Sequence, residues 1–379
     1  MAPTIDRERL FSRVRELCAI NAPSRCEQPI FRYLQKFWLE RKESGLTWET
    51  VAVPDSSEPA NIIMRLEGTG EPLMLCAHMD TVPLPPGTVT LVESDGVLRT
   101  DGSSILGSDD RAGIALALEM IDLCLEGAQH PPLEIVFTVQ EELGCLGSAC
   151  LYRSLFRSRM AFNLDGETSV GTAITSAPQK GRYAITVHGI SSHAALEPQL
   201  GRNAIRLASG LLLQLPDGQV DTYSTANTGT IAGGKQTNVV CDLVKITGEL
   251  RSFSKELFTK HRTYIDTLVS SYRVPSGCSV EISWEDVYAA YAVPDDSAVL
   301  QRFKNACMDM GCSPLFLRSA GGGDANNLNS LGIQTIVFGM GMHHIHTTRE
   351  YVVWEEIVAA AELLVRVVFR IPTDARIVP

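Results

Sequence analysis

The chain has no apolar run of the roughly 18 residues that a membrane-spanning helix needs. It has no surplus of positive charge. Its 33 Lys and Arg stand against 44 Asp and Glu, a net charge of −11, which argues against a nucleic acid or an anionic membrane as partner, since both select for Lys and Arg. There is no CxxC pair and no short-loop cysteine framework. The ten cysteines are scattered singly, the pattern of reduced, mostly buried thiols in a cytoplasmic protein. The first twenty residues, MAPTIDRERLFSRVRELCAI, lack the continuous apolar core of a secretory signal. Internal repeats and low-complexity segments are also missing. What remains is a soluble globular composition, 45% hydrophobic and 20% charged over 379 residues, long enough for about two domains, each with its own core.

Helical spacing of apolar residues is found at Leu10, Phe11, Val14, Leu17 and Cys18, and again at Ile30, Phe31, Leu34, Phe37 and Trp38. Short apolar runs then predict strands over Asn61–Leu66, Leu73–Ala77, Leu133–Val139, Met160–Leu164 and Gln334–Gly339. Helical stretches, chiefly Arg111–Leu125 and Trp354–Phe369, lie between and after them. Strands apolar on both faces that alternate with helices imply an α/β fold, with a mixed, mostly parallel sheet covered by helices on both sides.

The middle of the chain reads differently. Tyr183, Ile185 and Val187 alternate with polar residues, as do Val240, Val244, Ile246 and Leu250, less perfectly. Helices are expected over Arg202–Leu215 and Ser254–Tyr272, the latter capped by Ser254, and a further strand over Ser279–Glu285. The order strand, helix, two strands, helix, strand predicts a smaller inserted α+β domain over 178–292. The first domain is then built from 1–177 and 293–379.

The strand ends carry the chemistry. After Leu73–Ala77 come His78 and Asp80. After Leu133–Gln140 come Glu141 and Glu142, and after Met160–Leu164 comes Asp165. After Gln334–Gly339 a glycine-rich turn leads to His343, His344 and His346, and the pair Asp109–Asp110 precedes the Arg111 helix. Each signal alone is an ordinary turn residue, cap or solvated acid. Together, five segments deliver acids and imidazoles to the carboxyl edge of one sheet, where open α/β folds bind ligands.

Carboxylates and imidazoles without thiolates suit zinc, cobalt or manganese. Their number exceeds one tetrahedral shell and matches two divalent metals sharing a carboxylate. Such a pair polarises a carbonyl and acidifies a water held between its members. Either Glu141 or Glu142 can serve as general base, the other as ligand. Asp80, two residues beyond His78 on an extended backbone, is placed to accept the His78 ring N–H and orient it.

These stretches, LMLCAHMDTVP, TDGSSILGSDDRAGIA, VFTVQEELGCLGS, FNLDGE, HGISSHAALEPQLGRNAI, QTNVVCD, GELRS and HHIHTTREYV, resemble the co-catalytic zinc exopeptidase family. That family holds peptidase T, glutamate carboxypeptidase, cytosolic dipeptidases and acetylornithine deacetylase. The sequence is most similar to the peptidase T-like branch. The resemblance implies a metallopeptidase, with a tripeptide aminopeptidase as the expected activity and a short peptide as substrate. By the same resemblance His78, Asp109 and Asp165 hold one metal, and Asp109, Glu142 and His346 hold the second. Asp80 orients His78, Glu141 is the general base, and the Asp109–Asp110 peptide bond is cis.

His346 is preferred to His343 and His344 because Glu350 follows it by four residues. The resemblance implies that an aspartate at 165 accompanies aminopeptidase and dipeptidase activity, with glutamate there in carboxypeptidases and deacylases, although Glu167 lies two residues on. The inserted domain is implied to be a lid and homodimerisation domain, with His193, Asn238 and Arg251 touching substrate. His188 is read as structural. Departures from the family pattern are Arg111 for a lysine, GGGDAN at 321–326, and AALEPQLG after His193 without an Ala-Gly step. Cys145 is read as structural, with a soft extra ligand as its alternative. The competing functions are a carboxypeptidase or N-acyl amino-acid deacylase of the same fold, and a catalytically silent peptide-binding protein.

Overall fold

The runs Leu73–His78 and Leu133–Thr138 are buried along their whole length, as strands covered on both faces must be. In the structure, a computed structural model that describes residues 3–54, 60–83 and 89–369, they pair in parallel within a mixed sheet. The sheet order is Thr47–Val51, Asn61–Leu66, Leu133–Thr138, Leu73–His78, Met160–Gly166, Gln334–Gly339, Thr172–Ala177. The strands from Leu133 to Gln334 in that order run parallel, so their carboxyl ends share one edge. Asn61–Leu66 and Thr47–Val51 continue the sheet antiparallel.

Met74, Cys76, Val136 and Ala161 face one layer, where Leu151, Phe156, Leu328 and Ile333 cover them. The Ser108–Leu125 helix packs on the Leu73–His78 and Met160–Gly166 strands, and against the helices Arg7–Cys18 and Trp354–Val368. A smaller antiparallel sheet, Leu91–Ser94, Val97–Thr100, Tyr351–Val353 and Met342–His343, clamps both ends of the loop that carries His346 and Glu350. No described helix is long and apolar enough to cross a membrane, and all ten cysteines are free thiols.

The Ser108–Leu125 helix is buried from Ser108 through Cys124 and has no wet face. Its Glu119 and Asp122 are therefore inside the protein and must be paired. Arg9 meets Glu119 at 2.7 Å, Arg13 meets Asp122 at 2.6 Å and Glu119 at 3.2 Å, and Arg41 meets Asp122 at 2.6 Å. Glu119→Ala is expected to leave the buried Arg13 half-paired and to cost about 3–5 kcal/mol, read as a lower denaturation midpoint.

Among the described residues, those up to Ser176, Ala292–Ser319 and those from Gly323 onward form one compact unit, while Ala177–Tyr291 with Ala320–Gly322 form another. The second unit is an antiparallel sheet in the order Gly218–Asp221, Ser224–Gly233, Leu243–Ser252, Gln179–His188, Ser279–Tyr288. The helices Ala204–Leu212 and Lys255–Ser271 pack on its strands. Its core joins Tyr183, Ile185 and Val187 to Val244, Ile246, Ala208, Leu211 and Ile265. Ser254 caps the second helix by accepting from Leu257 N–H.

Several elements differ from the sequence reading. Three strands, not two, separate the helices of this unit. The unforeseen ones include Ser224–Gly233, whose sequence STANTGTIAG has no apolar alternation and is held by its ladder to Leu243–Ser252. Val240 lies outside that neighbouring strand. The helix expected from Arg111 begins at Ser108, with Asp109 and Asp110 inside it in non-helical conformations.

Candidate metal centre

His78 ends its strand and Asp165 is the next-to-last residue of the neighbouring one, so both reach the shared carboxyl edge. Asp109 arrives from the start of the buried helix. There Gly107 takes a left-handed conformation (φ 69°) and the Asp109–Asp110 bond is cis. Glu350 holds this loop: its carboxylate accepts Gly107 N–H at 2.8 Å, Ser108 Oγ–H at 2.6 Å and Asp109 N–H at 3.3 Å. Asp110 turns inward instead and accepts His78 N–H and Gly113 N–H, each at 3.1 Å. A Cβ at Gly113 would lie 2.2 Å from Asp110 Oδ1 and 2.5 Å from the Leu164 carbonyl, so only glycine fits there.

The two oxygens of Asp109 face different histidines. His78 Nε2 is 2.9 Å from Oδ1, and His346 Nε2 is 2.9 Å from Oδ2. Asp165 Oδ1 lies 3.6 Å from His78 Nε2, and Glu142 Oε1 lies 2.9 Å from His346 Nε2. His78, Asp109 and Asp165 thus form one potential ligand group and Asp109, Glu142 and His346 another, each within 4.8 Å. His343 points elsewhere, to Glu356 at 2.6 Å, and stacks on Tyr351.

His78 Nδ1 lies 3.0 Å from the Asp80 carbonyl oxygen, which can only accept. Nδ1 therefore carries a proton, and neutral His78 presents a lone pair at Nε2. That lone pair faces a carboxylate oxygen at 2.9 Å, and Glu142 Oε1 is buried without a hydrogen bond despite the ring nitrogen beside it. Acceptors this close need a positive charge between them. Without a metal, a proton has to supply it. Burial opposes charge on His78, yet Asp109, Asp165 and Asp80 hold its proton well above the usual range, and Asp109 and Glu142 push His346 up to about 11. Asp109 falls well below the carboxylate range, because the imidazoles of His346 and His78 outweigh its burial. Burial and the Asp109 charge raise Asp165 to about 7. The donor set of nitrogens and carboxylates therefore fits divalent cations.

The Glu pair does not sit on a strand. The Leu133–Thr138 strand has ended, and a tight turn follows with Gln140 (φ 54°), Gly144 (φ 104°) and Cys145 (φ 61°) left-handed. Asp80 organises this turn. Its Oδ1 accepts Glu141 N–H at 2.9 Å, its Oδ2 accepts Glu142 N–H at 3.2 Å, and Ser24 Oγ–H donates to Oδ2 at 2.7 Å. The expected carboxylate contact to the His78 ring is the longer one, 3.5 Å, and the Asp80 carbonyl does that work.

A family model described as Peptidase family M20/M25/M40 matches residues 74–370. The chain belongs to this family. It is a metallopeptidase of the M20 type, on the peptidase T-like branch. The uncharacterized protein YqjE of Bacillus subtilis is 31% identical over 96% of this chain and 98% of its own length. A tripeptidase of Staphylococcus aureus superposes with a TM-score of 0.87 at 28% identity, covering 97% of this chain and 98% of that one. Aminopeptidase PepT of Bacillus cereus superposes with a TM-score of 0.84 at 30% identity, covering 96% and 98%.

The remaining named residues lie in the second unit of this M20 chain. His193 Nδ1 accepts Ala195 N–H at 3.2 Å and Leu196 N–H at 3.1 Å, which leaves Nε2 as the protonated, donating nitrogen. The Asn238 carbonyl accepts Ala194 N–H at 3.0 Å, so Asn238 fastens the same turn. Arg251 is engaged with Glu249 at 2.7 Å and with the Ala320 carbonyl at 3.0 Å. Sequence reading passed over Ser24 and the positional role of Glu350. Only Glu350 carried a signal, its spacing from His346. Because Asp80 grips the turn rather than the ring, Asp80→Ala is expected to lower kcat by about 10–100-fold with KM little changed, measured by steady-state peptide hydrolysis.

Proposed function

We propose that this metallopeptidase is a two-metal aminopeptidase that removes N-terminal residues from short peptides, tripeptides among them. The observation that carries the reading is the Asp109 carboxylate shared between two histidine–acid groups, with Glu141 beside them and in neither. The likeness to a tripeptidase and to an aminopeptidase over nearly the whole chain supports it, as does a solved M20 relative described as a dinuclear metal binding peptidase.

His78, Asp109 and Asp165 would hold one cation and Asp109, Glu142 and His346 the other. Zinc suits these nitrogen and oxygen donors, with cobalt and manganese as alternatives. Bound there, the pair would polarise the scissile carbonyl and make a water acidic enough to attack it. Glu141 takes the proton of the attacking water and returns it to the departing amine. Burial, with the charges of Asp165, Asp324 and Glu142, lifts Glu141 well above the ordinary carboxylate range against the pull of His78.

The second unit serves as lid and homodimerisation surface. His193 Nε2–H donates to the substrate carbonyl as charge develops, Asn238 holds the peptide backbone, and Arg251 binds the peptide carboxylate. The unpaired cysteines fit a cytoplasmic location.

The test is a substrate panel with the metal-loaded protein. Tripeptides with free amino termini should be cleaved, and their N-acetylated forms should not. Cleavage of acylated compounds alone would overturn the reading in favour of a deacylase.

A further inference from the structure

A third cluster borders the centre and joins Glu141 to Cys145 and Asp324, which supply neither a ligand nor a proton-transfer group to the chemistry above. Cys145 N–H donates to the Glu141 carbonyl at 2.7 Å, and its thiol lies 3.3 Å from Glu141 Oε1. Asp324 enters the same space from the start of the Asp324–Ser330 helix. Thr138 Oγ–H donates to Asp324 Oδ2, while Oδ1 is buried with no hydrogen-bond partner. Cys145 and Asp324 are each 1% exposed. One oxygen from each carboxylate and the sulfur lie within 4.8 Å of one another.

A buried carboxylate oxygen without a donor is costly. The carboxylate that carries it places one of its oxygens within 4.8 Å of a second carboxylate and a thiol. Two oxygens and one sulfur at this separation make a donor set for a cation that accepts sulfur, such as zinc or cadmium, rather than for magnesium or manganese. The two-metal centre contains no sulfur, so the two places differ in chemical preference.

We propose that Glu141, Cys145 and Asp324 form an inhibitory cation site, occupied when zinc-type ions exceed what the two-metal centre takes up. Binding breaks the Cys145 S–H bond. The proton passes to solvent, the thiolate and the two carboxylates become ligands, and no oxidation state changes. A Glu141 carboxylate committed to a cation cannot take a proton from water, so hydrolysis stops while the centre stays loaded. The inhibition rests on Glu141 being the base, but the existence of the site does not.

The experiment titrates the metal-loaded protein with cadmium, following ultraviolet thiolate-to-cadmium absorbance and tripeptide hydrolysis together, in wild type and Cys145→Ala. Cadmium that exchanges into the two-metal centre meets no sulfur there and adds nothing to the band. The wild type should gain a band that Cys145→Ala lacks, and should lose activity with the same midpoint. Cys145→Ala should hydrolyse tripeptide within about tenfold of wild type at stoichiometric metal, which also shows that it folds. It should need at least about tenfold more cadmium for half-inhibition, because a thiolate ligand is gone. Asp324→Asn should shift the wild-type midpoint in the same direction. Identical bands in wild type and Cys145→Ala, or identical sensitivity to cadmium, would overturn the proposal. A Cys145-dependent band without loss of hydrolysis would uphold the site and count against Glu141 as the base.

Discussion

Glu141→Gln is expected to lower kcat by about 10²–10⁴-fold while the protein keeps its metal. Glutamine has nearly the shape of glutamate but cannot take up a proton. The side chain belongs to neither histidine–acid group, so both should load normally. The turn should also persist, since Asp80 grips residue 141 through its backbone N–H, which the substitution retains. The check is steady-state kinetics beside elemental analysis of the same preparation. Turnover like that of the wild type would remove Glu141 from the proton-transfer role. Loss of metal along with activity would mean that the side chain is a ligand.

Asp109→Asn should have an effect of similar size by a different route. An amide presents one good acceptor where the carboxylate presents two, so the atom facing His78 and the atom facing His346 can no longer both be negative. Both groups lose affinity at once. Removing metal polarisation worth several kcal/mol corresponds to a fall of about 10³-fold in kcat/KM. The loop itself should survive, because Glu350 holds it through Gly107 N–H, Ser108 Oγ–H and Asp109 N–H. Elemental analysis should find fewer than two tightly bound ions per chain. Two tight ions and near-normal activity would show that the carboxylate is not shared.

The strand ends could be read from the sequence because a parallel sheet buried on both faces writes continuous apolar runs, and the residue after each run lies at a common edge. His78, Asp165 and the Glu141–Glu142 pair stood out for that reason. Asp80 was located but its contacts were not. An extended backbone would put its carboxylate on the same side as His78, but the strand ends at His78, and the chain turns the carboxylate toward residues 141 and 142. The Glu pair was given one base and one ligand without the geometry that separates them, which a turn with three left-handed residues supplies. Ser224–Gly233 was invisible because its order comes from a neighbour's ladder and not from its own apolar pattern. The pairing of Arg9, Arg13 and Arg41 left no mark in the sequence, since nothing local reveals that Glu119 and Asp122 point into the interior.

Glu350 has a consequence for biosynthesis. The groups it ties down at Gly107, Ser108 and Asp109 precede it by 241 to 243 residues, and His346 leaves the ribosome just ahead of it. A nascent polypeptide lacking this segment has the residues of most of its central sheet but cannot complete the Asp109, Glu142 and His346 group. The Asp109 loop can therefore be held in this way only after residue 350 has been made, and a product that stops before residue 346 would lack both His346 and the Glu350 grip.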